Sequence, residues 1–167
     1  MDNVVLIGMP GCGKSTMGVL IAKALGLDFM DTDVVIQSQN GDKLQNLLDA
    51  CGVDAFLQLE ENTVAALDVH RTVIATGGSV VYGKRAMAHL RQNGTVVYIK
   101  LDYPTIEKRI HNLDSRGVTL REGQTLRDLY EERIPLYEEA CDICFEPATD
   151  CIEENVRQIC ALLNRRD

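Results

Sequence analysis

Val4-Val5-Leu6-Ile7-Gly8-Met9-Pro10-Gly11-Cys12-Gly13-Lys14-Ser15-Thr16 decides the fold of this chain. A short β-branched run leads into the spacing G-x-x-x-x-G-K-S, and the sequence beyond it reads as a helix to about Leu25. That order of strand, glycine-rich turn and helix is what gives the pattern physical meaning as a phosphate loop. Gly8, Gly11 and Gly13 let several backbone N–H groups point into one concavity, and the helix starting near Lys14 adds its unpaired N–H groups and its dipole. Lys14 can reach the β- and γ-phosphates of a nucleoside triphosphate, and the Ser15 hydroxyl can complete the shell of a Mg²⁺ ion.

Working outward, the first helix carries Met17, Leu20, Ile21, Ala24 and Leu25 on one face, leaves Lys23 outside and stops at Gly26. Phe29-Met30 leads to Asp31-Thr32-Asp33, two acids at the carboxyl edge of a strand, where ligands collect in open α/β sheets. Asp31 can coordinate Mg²⁺ or hold its water, and Asp33 can hydrogen-bond or deprotonate a substrate hydroxyl. Both also suit the start of the following helix as caps.

Residues 34–70 read as helical, with interruptions near Asn40-Gly41-Asp42 and Gly52. Val34, Val35, Leu44, Leu47, Leu48, Phe56, Leu57 and Leu59 offer an apolar face, while Glu60 and Glu61 are expected in solvent or in local pairs. Up to His70 this insert has Lys43 as its one cation. Val73-Ile74-Ala75 is a short buried strand followed by Thr76-Gly77-Gly78-Ser79, where paired glycines permit a ligand to approach the backbone. A helix is expected from Val80 to Leu90, closed by Asn93-Gly94, and then a strand over Val96–Leu101.

The next helix follows Asp102 and Pro104 and carries Arg109, placed either to meet an adenine face or phosphate or to stand in solvent. Residues 111–124 read as a polar, glycine-containing loop, and Arg116, with Arg121 as its rival, is expected either to close over a transferring phosphoryl group or to stand in solvent on the loop. Leu126–Ala140 is a helix expected to break at Pro135, with Arg133 turned by the kink toward a carboxylate or toward a neighbouring glutamate. Asp142–Phe145 is a last strand. The alternation β-α-β-α-β-α-β-α-β-α predicts a five-stranded parallel sheet covered on both faces.

The 167 residues suit one domain, expected to span the whole chain. A formal charge of −8, from 25 acidic and 17 basic residues, disfavours a nucleic-acid partner. No apolar run approaches the roughly 18 residues of a membrane span, and Met1-Asp2-Asn3 enters the first strand at once, so no membrane segment or signal peptide is expected. A cytoplasmic setting follows, in which the six cysteines need no disulfides. Cys141 and Cys144 lack a second pair at zinc spacing, and Cys12 sits among loop N–H groups that favour a thiolate.

The ordered set of Gly8–Thr16, Asp31-Thr32-Asp33, Gly77-Gly78, the loop around Arg116, and Arg133 with Pro135-Leu136-Tyr137 resembles shikimate kinases over nearly the whole chain. The resemblance implies a nucleoside-monophosphate-kinase-like α/β/α fold with sheet order 2-3-1-4-5, and a monomer that uses ATP and Mg²⁺ to phosphorylate the shikimate 3-hydroxyl. By position it implies that Gly11, Cys12, Gly13, Lys14, Ser15 and Thr16 hold ATP, with Arg109 near adenine and Lys14 and Arg116 on the transferring phosphate. Ser15 and Asp31 would manage Mg²⁺. Asp33, Gly77, Gly78 and Arg133 would form the acceptor site, with Asp33 over the ring hydroxyls and Arg133 on the carboxylate. Two positions depart from the family pattern. Leu57 stands where an arginine is usual after Phe56, and Ser79 where a third glycine is usual. These departures open a second reading, a kinase of another small hydroxylated metabolite. A third is a nucleotide-binding regulator without transfer.

Overall fold

The computed structural model describes residues 2–112 and 118–165, the side chains at 111 and 112 excepted. Val4 to Ile7 are wholly buried because β1 (Asn3–Ile7) is the central strand and is covered on both faces. It pairs in parallel with β3 (Thr72–Ala75) on one side and β4 (Gly94–Ile99) on the other, with Val5 opposite both Ile74 and Val96. β2 (Asp28–Asp31) and β5 (Ile143–Phe145) form the edges, giving the all-parallel order β2-β3-β1-β4-β5 of a three-layer α/β/α fold.

Helices cover the sheet as the alternation requires. α1 (Lys14–Leu25) packs against α8 (Ile152–Asn164) and buries Met17, Ile21 and Ala22, so the inward face includes Ala22 where Ala24 was expected. Gly26, at φ 65°, ends α1 in the left-handed conformation that glycine adopts without strain. The insert between β2 and β3 is three helices, α2 (Thr32–Asn40), α3 (Leu44–Cys51) and α4 (Val53–Ala65), separated at Gly41 and Gly52. Within it Ile36, Leu48 and Phe56 are buried, whereas Val34 is 58% exposed.

The single helix expected from Val80 to Leu90 is instead two pieces, a 3₁₀ turn at Val80–Tyr82 and α5 (Lys84–Gln92). Gly83 separates them where the chain lies against α4, since a Cβ there would stand 3.1 Å from the Cβ of Glu61. α6 (Tyr103–Asn112) follows β4, and α7 (Leu126–Ala140) opens with a capping box between Thr125 and Asp128.

α7 runs unbroken through Pro135, which corrects the expected break. Pro135 and Glu131, whose carbonyl loses its intrahelical donor, both lie on the exposed side, where water can satisfy that carbonyl. Arg133 therefore owes its direction to helical spacing: Leu129, Arg133 and Tyr137 recur at every fourth residue on the buried face.

Candidate active site

The carboxyl ends of the strands open into one cavity of about 770 Å³. The phosphate loop forms its floor. Gly11 and Gly13 take φ 78° and 98°, a conformation that strains any residue with a Cβ, and so the loop can curl around the start of α1. Gly11, Cys12, Gly13, Lys14, Ser15 and Thr16 all line the cavity. The Cys12 side chain is buried, with its N–H donating to Met9 O at 3.2 Å, so the thiol is packed inward and shielded from bulky reagents. Lys14 Nζ donates to the carbonyls of Gly8 and Met9 at 2.8 and 2.9 Å, which stores the ammonium at the loop itself.

Asp31 caps α2 and also bonds Ser15 of the phosphate loop. Its Oδ1 accepts from the Asp33 N–H at 2.9 Å, capping α2, while its Oδ2 accepts from Ser15 Oγ at 2.6 Å. The pair is exposed and offers two hard oxygen donors beside the phosphate loop. These suit Mg²⁺, which keeps most of its water and takes few protein ligands.

The other half of the cavity gathers around Thr76–Ser79 after β3. Gly77 N–H donates to Thr32 Oγ1 at 3.2 Å, and a Cβ on Gly77 would lie 2.3 Å from Glu60 Oε1 and 2.9 Å from Asp33 Oδ1. Two carboxylates thus press against the same glycine, and only a residue without a side chain fits between them. Burial, helped by the nearby Asp31 charge and opposed by Lys14, raises the Asp33 carboxyl to about 6.

Glu60 is 2% exposed, which overturns its expected place in solvent. Ser79 Oγ donates to Glu60 Oε2 at 2.5 Å. Burial pushes the Glu60 carboxyl up to about 7; Asp33 adds to the shift, and the Ser79 hydrogen bond, Arg133 and Lys14 oppose it. Its spacing could have revealed it, because Phe56, Glu60, Thr63 and Val64 share the buried stripe of α4. Glu61 does lie nearer the surface, where it accepts from the Arg85 N–H at 2.8 Å.

Arg133 is 1% exposed and sits behind Gly78, whose Cβ would meet its Nη1 at 2.9 Å. Nη2 donates to Thr119 Oγ1 at 2.5 Å, Nε donates to Tyr82 Oη at 3.4 Å, and the guanidinium lies 5.3 Å from the Tyr82 ring centroid. Among the described residues no carboxylate forms an ion pair with it. Tyr137 locks the same corner by donating from Oη to Gly78 O at 2.5 Å.

At the far end Arg109 lines the cavity, donating to Gly11 O at 3.3 Å and lying 3.7 Å from the exposed Asp150. The loop Glu146–Asp150 completes that wall. Arg116 lies outside the described residues. Its rival Arg121 is drawn instead to Asp54 of α4 at 2.7 Å. Leu57 does not line the cavity, whereas Ser79 does.

A cavity with a triphosphate cradle at one end and paired carboxylates at the other, with Arg133 buried behind Gly78 and outside the lining, can hold a nucleotide against a hydroxylated acceptor. Comparison with known proteins agrees. Residues 10–164 match the family model described as shikimate kinase. A shikimate kinase of Paracidovorax citrulli is 39% identical over 151 residues, covering 87% of this chain and 82% of the relative. One from Clostridium botulinum is 40% identical over 143 residues, 84% of each chain. The structure of the Acinetobacter baumannii shikimate kinase in complex with shikimate superposes with a TM-score of 0.91 at 28% identity, covering all of this chain and 95% of that one.

Proposed function

Because the chain belongs to the shikimate kinase family, we infer that it transfers the γ-phosphoryl group of ATP to the 3-hydroxyl of shikimate, giving shikimate 3-phosphate and ADP. What supports this reading most is the Gly77-Gly78 segment beside the phosphate loop, against which Asp33 and Arg133 both pack.

In this reading the N–H groups at Gly11, Gly13 and the start of α1 bind the phosphates, and residues 146–150 with Arg109 enclose the base. Lys14 leaves the Gly8 and Met9 carbonyls to meet the β- and γ-phosphates. Ser15 and Asp31 would hold Mg²⁺, whose charge neutralises phosphate oxygens when it is bound. Asp33 orients the acceptor hydroxyl and accepts its proton as the oxygen bonds to the γ-phosphorus and the bond to the β-phosphate oxygen breaks. Arg133 holds the acceptor carboxylate in a charge-assisted hydrogen bond after exchanging its contact with Thr119. Segment 111–124 acts as the lid, with Arg116 as its phosphate-facing cation. Positioning and preorganised charge supply most of the acceleration in such a transfer.

The proposed enzyme acts as a monomer. Six free cysteines suit the reducing cytoplasm. Among the described residues no helix is long and apolar enough to cross a membrane. A panel of hydroxylated acceptors with ATP and Mg²⁺ tests the choice of substrate: shikimate should give the highest kcat/KM. A sugar acid, amino alcohol or cyclic polyol that surpasses it would transfer the assignment to that acceptor.

A further inference from the structure

Glu60 is a buried carboxyl whose hydrogen-bond partner among the described residues is the Ser79 hydroxyl, and no ion pair reaches it there. The cations in its neighbourhood are otherwise engaged: Lys14 on the carbonyls of Gly8 and Met9, Arg133 on Thr119 and Tyr82. A buried carboxylate without a salt-bridge partner is costly, and the usual relief is to bind a proton. The Ser79 bond fixes one oxygen, Oε2, and leaves Oε1 against Gly77 at the cavity wall. Glu60 therefore stands between the hydroxyl-facing Asp33 and the carboxylate-facing Arg133.

We propose that Glu60, held by Ser79, is a proton-carrying specificity element of the acceptor pocket, donating a hydrogen bond from Oε1 to an anionic acceptor as the acid and repelling it as the carboxylate. This rests on the reading of the cavity as the site of a carboxylate-bearing acceptor. Binding then draws one proton from solvent onto Glu60. The value near 7 for this carboxyl puts the exchange in the physiological range.

The groups around Glu60 allow this exchange to be isolated. Asp33 comes from α2, Lys14 from α1, and Arg133 from α7, with Tyr82 of the 3₁₀ turn against Arg133. On α5, Arg85 is turned to Glu61 and Asn62. On α3, Asp49 accepts from Gln45 and Cys51 is exposed, and on α4 itself Asp54 is paired with Arg121.

The test is calorimetric titration of the full-length protein with shikimate, between about pH 6 and about pH 9, in buffers of different ionisation enthalpy. Wild type should take up close to one proton per shikimate at the alkaline end, and its Kd should rise about tenfold per pH unit there. Glu60→Gln keeps a donor in the same place and should bind without that uptake, with a flat Kd. Ser79→Ala removes a bond that favours the charged form and should move the wild-type profile to higher pH, a readout that does not depend on the Gln variant folding. Saturable binding with no proton uptake in wild type, or equal uptake in Glu60→Gln, would overturn the role of Glu60. Absence of saturable binding at every pH would overturn the acceptor reading and this role together.

Discussion

Asp33 and Glu60, from different helices, place carboxylate oxygens 2.9 and 2.3 Å from the same point, the position a Cβ would take on Gly77. In the proposed mechanism phosphoryl transfer and acceptor choice meet at this one glycine. Gly77→Ala must push both acids aside, so it should lose most of kcat while nucleotide binding at the phosphate loop persists. Fluorescent-nucleotide titration beside turnover measurements checks this, and joint loss of both functions would point to a collapsed fold.

Glu60 should also leave a mark on stability. Its carboxyl is raised in the folded state from 4.5 to about 7, so the folded protein holds this proton more tightly than the unfolded chain. The resulting stabilisation is complete below about pH 4.5 and is lost as pH rises through about 7, an effect of roughly 3 kcal/mol for this group. Glu60→Gln should therefore gain stability relative to wild type at alkaline pH, as read by denaturant midpoints on both sides of neutrality.

Asp33 works as a proton acceptor only when ionised, and its carboxyl is raised to about 6. Turnover should fall as pH drops through that value and level off above it. Asp33→Asn should remove the acidic limb along with most of the rate, about 10²-fold or more for a positioned base. A pH–kcat profile for each protein checks this.

Much of this organisation is legible in the chain itself. The glycine and lysine spacing of the phosphate loop, the buried strand Val4–Ile7 and the order of helices and strands are local patterns, and local patterns survive folding. Glu60 is different. Its charge suggests solvent, yet its place on the Phe56–Val64 stripe buries it, and its partner Ser79 comes from another element. Pro135 misleads for a related reason: the Glu131 carbonyl it frees lies on the exposed side, where water can satisfy it, and α7 continues through it. The Thr119–Arg133 contact joins a loop to a helix at atoms that no spacing rule connects.

Replacing Arg133 should separate binding from chemistry. Arg133→Ala should weaken the acceptor by about 2 kcal/mol or more, roughly thirtyfold in KM, with a smaller change in kcat at saturation. Arg133→Lys should recover only part of the loss, because a point charge cannot replace a planar donor held between Tyr82 and Thr119. Steady-state kinetics with varied acceptor distinguishes these outcomes.

Lys14 makes the sharpest mechanistic test of the donor end. Lys14→Met should reduce kcat by about 10²-fold to 10³-fold, the usual effect of removing one preorganised charge from a transition state. Its secondary structure by circular dichroism should match wild type, since α1 is held mainly by Met17, Ile21 and Ala22.

The central claim is that this cavity joins ATP to shikimate. Coupled measurement of ADP release by the purified protein, with ATP and Mg²⁺ and increasing shikimate, addresses it most directly. Saturable, shikimate-dependent release with one shikimate 3-phosphate formed per ADP is the expected result. A rate that stays at the ATP-only background across all shikimate concentrations would contradict it.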